Sequence, residues 1–326
     1  MRVLAVTNMY PTPAEPWFGS FVKDQIEAVR RLNVIVDVFT FDGRRDWRAY
    51  ASAARNVRKL AATGDFDLIH AHYGLSGAVA LCQRSLPVVT TFHGSDSAQI
   101  AWQRRVSWVV ARRSTPIFVA LENARRLGLP DAPVVPAGVD MALFEPRDRA
   151  DAREALGWAP GGTYVLLPGA RSNRLKRADL FDRVIDLLRR ALPDVGAVSL
   201  EGYSRTDVAK VMNAVDVVLL TSDSEGSPVT VKEALACMTP VVSVPVGDVP
   251  ALLAGLPGCT IAERDPSILA DAVIAARRVR DSALRRRALE FSYDRIATQI
   301  LEIYERTHRR SRHTQSASKT RAHDTA

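Results

Sequence analysis

Short apolar runs alternate with amphipathic stretches along this chain, and the series occurs twice. In the first half the runs fall at residues 3–7, 34–40, 68–71, 88–92, 117–120 and 134–136, with helical periodicity at 21–32 and 76–85. In the second half they fall at 164–168, 197–201, 215–220, 241–244 and 259–261, with helical stretches at 179–191 and from about Thr230. Runs apolar on both faces are strands buried on both sides, and parallel neighbours need a crossover helix between them. The pattern therefore predicts a parallel α/β fold, doubly wound, in two Rossmann-like domains. A length of 326 residues suits two domains. The pattern breaks between Gly138 and Pro146, so the domains are expected at 1–146 and 147–290. A last helix over 291–308 carries Ile296, Ile300, Leu301 and Tyr304 on one face. Residues 309–326, rich in Ser, Thr and Arg, are expected to be disordered.

Net charge is +8, and the tail from Arg309 supplies +4 of it through five Lys or Arg against one Asp. The remainder is mildly basic, which suits an anionic small ligand, an acidic acceptor or a membrane surface. It lacks the aromatic-interleaved basic face of a nucleic-acid binder, so no nucleic-acid partner is expected. Cys82, Cys237 and Cys259 are too scattered for a disulfide framework or a zinc site, and no metal is expected. No cleavable leader is read after Met1, and no apolar run nears the roughly 20 residues a membrane span requires. The expected location is cytoplasmic, with peripheral contact to the inner face of the membrane open.

Open α/β sheets bind ligands at the carboxyl ends of their strands, so residues just after each strand carry the chemistry. Glu225 and Glu233 follow the run at 215–220, the first on a loop and the second in the early turns of a helix. The helix start, with Gly226, Ser227 and Val229, offers unpaired backbone N–H groups to an anion. Gly169 allows close approach of a ligand after residues 164–168, and Arg171 and Lys176 carry the charge to clamp a diphosphate. His93, at the end of the strand at 88–92, is placed to bond a sugar hydroxyl or a phosphate. His70 and His72 are expected to face opposite sides of their strand, as structural support rather than metal ligands. The first βα loop is long and holds three prolines, with Gly19 at the following helix start. The Walker loop, the G-x-G-x-x-G fingerprint and the G-x-S-x-G elbow are all missing, against P-loop, dinucleotide and hydrolase chemistry. The stretch 100–113 holds Trp102, Trp108 and four arginines; it reads equally as an interfacial helix on an anionic bilayer or an ordinary half-buried helix.

Taken together, these residues resemble the family 4 retaining glycosyltransferases. The resemblance is carried by Tyr10-Pro11 through Gly19-Ser20-Phe21-Val22, Asp67 to His72, Thr91 to Asp96, Val135 to Asp140, Arg171 with Lys176, and the Glu225/Glu233 motif, and it covers residues 1 to about 307. The Glu225-Gly226-Ser227-Pro228 form and Lys232-Glu233-Ala234 look most like a bacterial branch serving cell-surface polysaccharides, including teichuronic-acid-type transferases. The resemblance implies the GT-B architecture, with a cleft between the domains and a C-terminal crossover helix. It implies transfer of a hexose from a nucleotide-diphosphate sugar to a lipid-linked or glycan acceptor, with retained anomeric configuration and without a metal or other cofactor. It places Glu233 on the ribose, Glu225 and His93 on the donor sugar, Arg171 and Lys176 on the leaving diphosphate, and Gly19 on the diphosphate or acceptor side. The chain departs from the family between Lys176 and Val215, which is short; Tyr203 and Ser204 are expected to rebuild part of the base-recognition wall. A non-catalytic nucleotide-sugar-binding subunit and a same-fold sugar-nucleotide epimerase are the competing readings.

Overall fold

The computed structural model describes residues 1–15, 18–43, 46–94 and 100–323, with side chains of the last helix to residue 313. Pro16 and Trp17 of the first loop, Ser95 and Asp96 after His93, and the final three residues lie outside the described residues. The chain divides into two compact units: unit 1 comprises Met1–Pro136 with Asp294–Ala326, and unit 2 comprises Ala137–Tyr293.

Unit 1 is a five-stranded, all-parallel sheet in the order β2-β1-β3-β4-β5. Its strands are β1 (Arg2–Thr7), β2 (Ile35–Thr40), β3 (Leu68–His72), β4 (Val88–Phe92) and β5 (Thr115–Phe118). Every residue of β3 and β4 is buried, as the unbroken apolar runs require. The expected strand at 134–136 is reduced to a single bridge between Phe118 and Val134. Pro133 and Pro136 flank it, and neither has an N–H to extend a ladder.

Unit 2 repeats the plan with β6 (Thr163–Leu167), β7 (Val195–Ser199), β8 (Val217–Leu220), β9 (Val241–Ser243) and β10 (Thr260–Ile261), in the order β10-β9-β8-β6-β7. Read from its own first strand this is the 2-1-3-4-5 order of unit 1. In both sheets the order reverses between the first and third strands, which is where doubly wound folds hold ligands. In unit 1 that point lies between β1 and β3, in unit 2 between β6 and β8.

The domain boundary falls ten residues earlier than the loop pattern indicates. Val139 and Phe144 are fully buried in the core of unit 2, and Val139 pairs with Ser292. Arg285 donates to Phe144 O at 2.8 Å and Met141 O at 3.0 Å, so the segment after Pro136 is stitched into unit 2.

The last helix, Tyr293–His323, packs on unit 1. The Tyr304 hydroxyl lies 2.6 Å from His70 Nδ1, Thr307 Oγ1 donates to Thr115 Oγ1 at 3.1 Å, and His308 Nδ1 lies 3.3 Å from Asp67 O. The helix continues through residues expected to be disordered. Residues 309–323 contain neither Gly nor Pro, so nothing in the backbone ends it.

Asp216, just before β8, is a buried charge that ties together several elements of unit 2. It is 5% exposed; it pairs with Arg149, accepts from Arg153 Nη2 at 2.7 Å and takes the Tyr164 amide at 2.7 Å. Removing one side of a buried ion pair strands the other charge. Asp216→Asn is therefore expected to cost about 3–5 kcal/mol in urea unfolding. A loss below about 1 kcal/mol would show that water already screens the cluster.

Candidate active site

At the switch point of unit 2 the chain leaves β6 through Pro168 and Gly169 and makes a short turn, Arg174–Lys176, before the helix Ala178–Ala191. Across from it the chain leaves β8 through Thr221 and Ser222 to Glu225 and the helix Val229–Ala236. The two loops are fastened to each other. Thr221 Oγ1 donates to Lys176 O at 2.7 Å, and the Asp223 amide donates to Leu175 O at 2.8 Å. From the far side, Arg264 donates to Thr221 O at 3.0 Å and Ser222 O at 2.7 Å.

This scaffold puts Lys176 Nζ 2.7 Å from Glu225 Oε1, with side-chain exposures of 18% and 13%. Gly169 makes the approach possible. Its φ is +154°, and a Cβ there would stand 2.7 Å from Lys176 Cε. The lysine stem lies across the glycine.

Glu233 is almost wholly buried in the helix Val229–Ala236 and accepts from Arg205 Nη1 at 2.9 Å. Arg205 opens the helix Arg205–Ala214 after β7, and its guanidinium lies 5.3 Å from the Phe144 ring. Gly226 O accepts the Asp248 amide at 3.2 Å, Ser227 Oγ accepts from Lys232, and Val229 is the first residue of the helix whose leading N–H groups have no intrahelical partner.

The structure adds three features of unit 2 to the sequence reasoning. Arg171, expected on the diphosphate with Lys176, is 40% exposed in its side chain and grips Asp182 at 2.7 Å; that pairing also raises its pKa. An acid one helical turn into Ala178–Ala191 competes for it. Ser204 caps the helix Arg205–Ala214, accepting the Asp207 amide at 3.2 Å, and Tyr203 packs against the core, so both also serve the local fold. Arg205 went unseen because the reading of the shortened segment ended one residue before it. Its signal is a cation directly after a helix cap, at the carboxyl end of β7 on the sheet edge that also carries the Glu225/Glu233 loop.

In unit 1, His93 follows β4 and its Nε2 lies 3.3 Å from His72 Nδ1. His70 and His72 do not face opposite sides. Residues two apart share a strand face, and their rings lie 4.3 Å apart. Burial, and neighbouring imidazoles in the case of His70 and His93, hold all three below the usual histidine range; His72 falls to about 3. These imidazoles are neutral near pH 7. Tyr73, at the end of β3, has φ +75° and ψ 150°, a region costly for any side chain, and its ring sits 4.5 Å from that of His93. Strain of this kind collects at functional edges, here the unit 1 switch point. Gly19 precedes the helix Ser20–Arg30 with its backbone against Met9. Beside it, at the ends of β1 and β2, lies a pocket of about 390 Å³ lined by Asn8, Tyr10, Glu15, Phe18, Phe41 and Asp42 among others.

Comparison with known proteins adds to this geometry. The family model described as "Glycosyltransferase Family 4" matches residues 15–143, and "Glycosyl transferases group 1" matches residues 176–278. A D-inositol 3-phosphate glycosyltransferase of Catenulispora acidiphila is 30% identical over 309 residues, covering 75% of this chain and 73% of that protein. The Mycobacterium marinum protein of the same description is 27% identical over 314 residues, covering 79% and 67%. Among solved structures, sucrose-phosphate synthase of Thermosynechococcus elongatus superposes with a TM-score of 0.79 at 19% identity, covering 94% of this chain and 99% of that one. Anabaena HepE in complex with UDP-glucose gives 0.67 at 18% identity, covering 97% and 100%.

Proposed function

This chain belongs to the group 1 and family 4 glycosyltransferases, and we propose that it moves a hexose from a nucleoside-diphosphate sugar to an acceptor hydroxyl, retaining the anomeric configuration and using no metal. The fold is that of GT-B enzymes, with two Rossmann-like units. The observation that carries the reading is the Lys176–Glu225 contact at the unit 2 switch point, with Glu233 and Arg205 on the same sheet edge. Lys176 supplies a positive charge that stabilises the negative charge developing on the departing diphosphate oxygens. Glu225 holds the lysine in place and presents its second oxygen to a sugar hydroxyl. Glu233, paired with Arg205 at 2.9 Å, accepts from ribose hydroxyls. His93, neutral near pH 7, is a hydrogen-bonding group for the sugar rather than a cation. Gly19 lies on the acceptor side, in unit 1. Arg171 contributes field rather than contact while it is held by Asp182.

Two acceptor readings have separate support. The exposed face of the helix Ala101–Arg113 favours a lipid-linked acceptor in cell-envelope glycan synthesis. Trp102 and Trp108 are 55% and 48% exposed, and Arg112 lies 4.0 Å over the Trp108 ring. Apolar rings amid arginines suit an anionic bilayer surface. The relatives' names favour a cyclitol phosphate instead.

Melting curves with a panel of nucleoside-diphosphate sugars test the donor half. A donor at 100 times its Kd adds about 2.7 kcal/mol to the folded state. No shift with any of them would reject it. Incubation of the best donor alone, then with lipid-linked glycan or inositol phosphate, separates the rest. Isomerised donor without acceptor indicates an epimerase, and binding without turnover indicates a non-catalytic subunit.

A further inference from the structure

Behind the Glu225 loop sits a lysine that the mechanism above does not use. Lys232 is 0% exposed, in the helix Val229–Ala236. Burying an ammonium is expensive unless its donors are satisfied, and these are aimed at particular partners. Lys232 Nζ donates to Ser227 Oγ and, at 2.8 Å, to Ala137 O, and it lies 5.1 Å from the centre of the Phe291 ring.

The rest of the loop's rear wall is equally close. The Asp248 amide donates to Gly226 O at 3.2 Å. Gly247, at φ +56°, lies so near that a Cβ would stand 2.6 Å from Gly226 O and 2.9 Å from Glu225 O. The loop thus has a front, Glu225 against Lys176, and a back, fastened by Lys232, Gly247 and Asp248. A methionine of similar volume would fill the lysine's space without the desolvation cost, so the charge itself is what the loop uses.

We infer that Lys232 is the positioning residue of this loop: through Ser227 it holds Glu225 and the amides after Gly226 where a nucleoside diphosphate meets them. The inference rests on the donor-site reading above. Charged groups facing Lys232 are Asp248 and Glu233, both favouring its protonated form, and Glu225 in turn raises the Asp248 carboxyl. Burial outweighs them and lowers Lys232 to about 8. The pin is therefore charged at pH 7 and loses its proton in mildly alkaline solution.

Amide hydrogen exchange over residues 225–229, without ligand, and UDP titration at pH 7 and pH 9 test this in the wild type, Lys232→Met and Ser227→Ala. Hydrogen bonds to charged groups are each worth enough for about tenfold effects. Lys232→Met is expected to exchange the loop about tenfold faster and to bind UDP about tenfold more weakly at pH 7, without a lower melting temperature. Wild-type affinity should fall between pH 7 and pH 9 while that of the variant stays flat. Ser227→Ala should move exchange and affinity in the same direction, and it decides the matter if Lys232→Met does not fold. Unchanged loop exchange, or equal UDP affinity with an unchanged pH profile, overturns the inference. A wild type that takes up none of UDP, GDP, ADP and dTDP defeats the donor reading instead, and loop exchange still reports on the pin.

Discussion

Lys176→Ala is expected to lower turnover by about 10²–10³-fold, with a much smaller change in donor KM. A positioned donor aimed at charge that develops in the transition state is worth about 2.7–4 kcal/mol of barrier. In the proposed reading Lys176 is such a donor, and the fold holds it in place: its stem lies across Gly169, its main chain accepts from Thr221, and its ammonium donates to Glu225 at 2.7 Å. Free-enzyme geometry also predicts a side effect. Glu225 is left partly buried without its partner, so some lost activity could come from a loosened loop. The double variant Lys176→Ala/Glu225→Gln isolates the pair term. Lys176→Arg should recover part of the rate, since it restores charge with a different hydrogen-bonding shape. Turnover within threefold of wild type for Lys176→Ala would remove this residue from the mechanism.

Acid is expected to unfold the protein well above the range where carboxylates titrate. His70 and His72 are at most 1% exposed, and burial lowers both pKa values, that of His72 to about 3. The sign follows from proton counts. Below about 6.5 the unfolded chain takes up protons at these imidazoles and the folded chain does not, so stability falls with pH. Above about 6.5 both states are neutral and the effect vanishes. With His93, which is lowered for the same reason, three such groups together cost about 4 kcal/mol for each pH unit below 6.5. For His72 the loss ends near pH 3, where the folded state also takes up its proton. Urea midpoints between pH 7.5 and pH 5 should show this slope, and His72→Gln should reduce it by about a third. A flat profile across that interval would mean that the cluster is already protonated in the fold. The site of unit 1 shares this dependence because His93 contacts His72.

Much of the fold was legible because buried parallel strands are long apolar runs, and those at 88–92, 217–220 and 241–243 need no tertiary information. The Glu225 and Lys176 positions were legible for a topological reason: residues just past strands of a doubly wound sheet share one edge. Side-chain pairing within that edge was not. Arg171 and Lys176 are equivalent as sequence, and only the placement of Asp182 on the next helix sends one outward while Gly169 draws the other in. The unit boundary was misplaced because the loop after Pro136 looks irregular, while Val139 and Phe144 bury themselves in the second core. The histidine cluster needed only correct strand alternation. Lys232 stood in plain view, but a lysine in a helix reads as surface until its burial is known.

Crystallographic density for UDP soaked into the protein tests the central claim most directly, that the unit 2 switch point receives the donor. The account predicts diphosphate oxygens within hydrogen-bond reach of Lys176 Nζ and the Gly169 backbone, with ribose hydroxyls at the Glu233 carboxylate and Arg205 still alongside. Density for UDP away from the β6 and β8 loop ends, with the Lys176–Glu225 pair undisturbed, would contradict it.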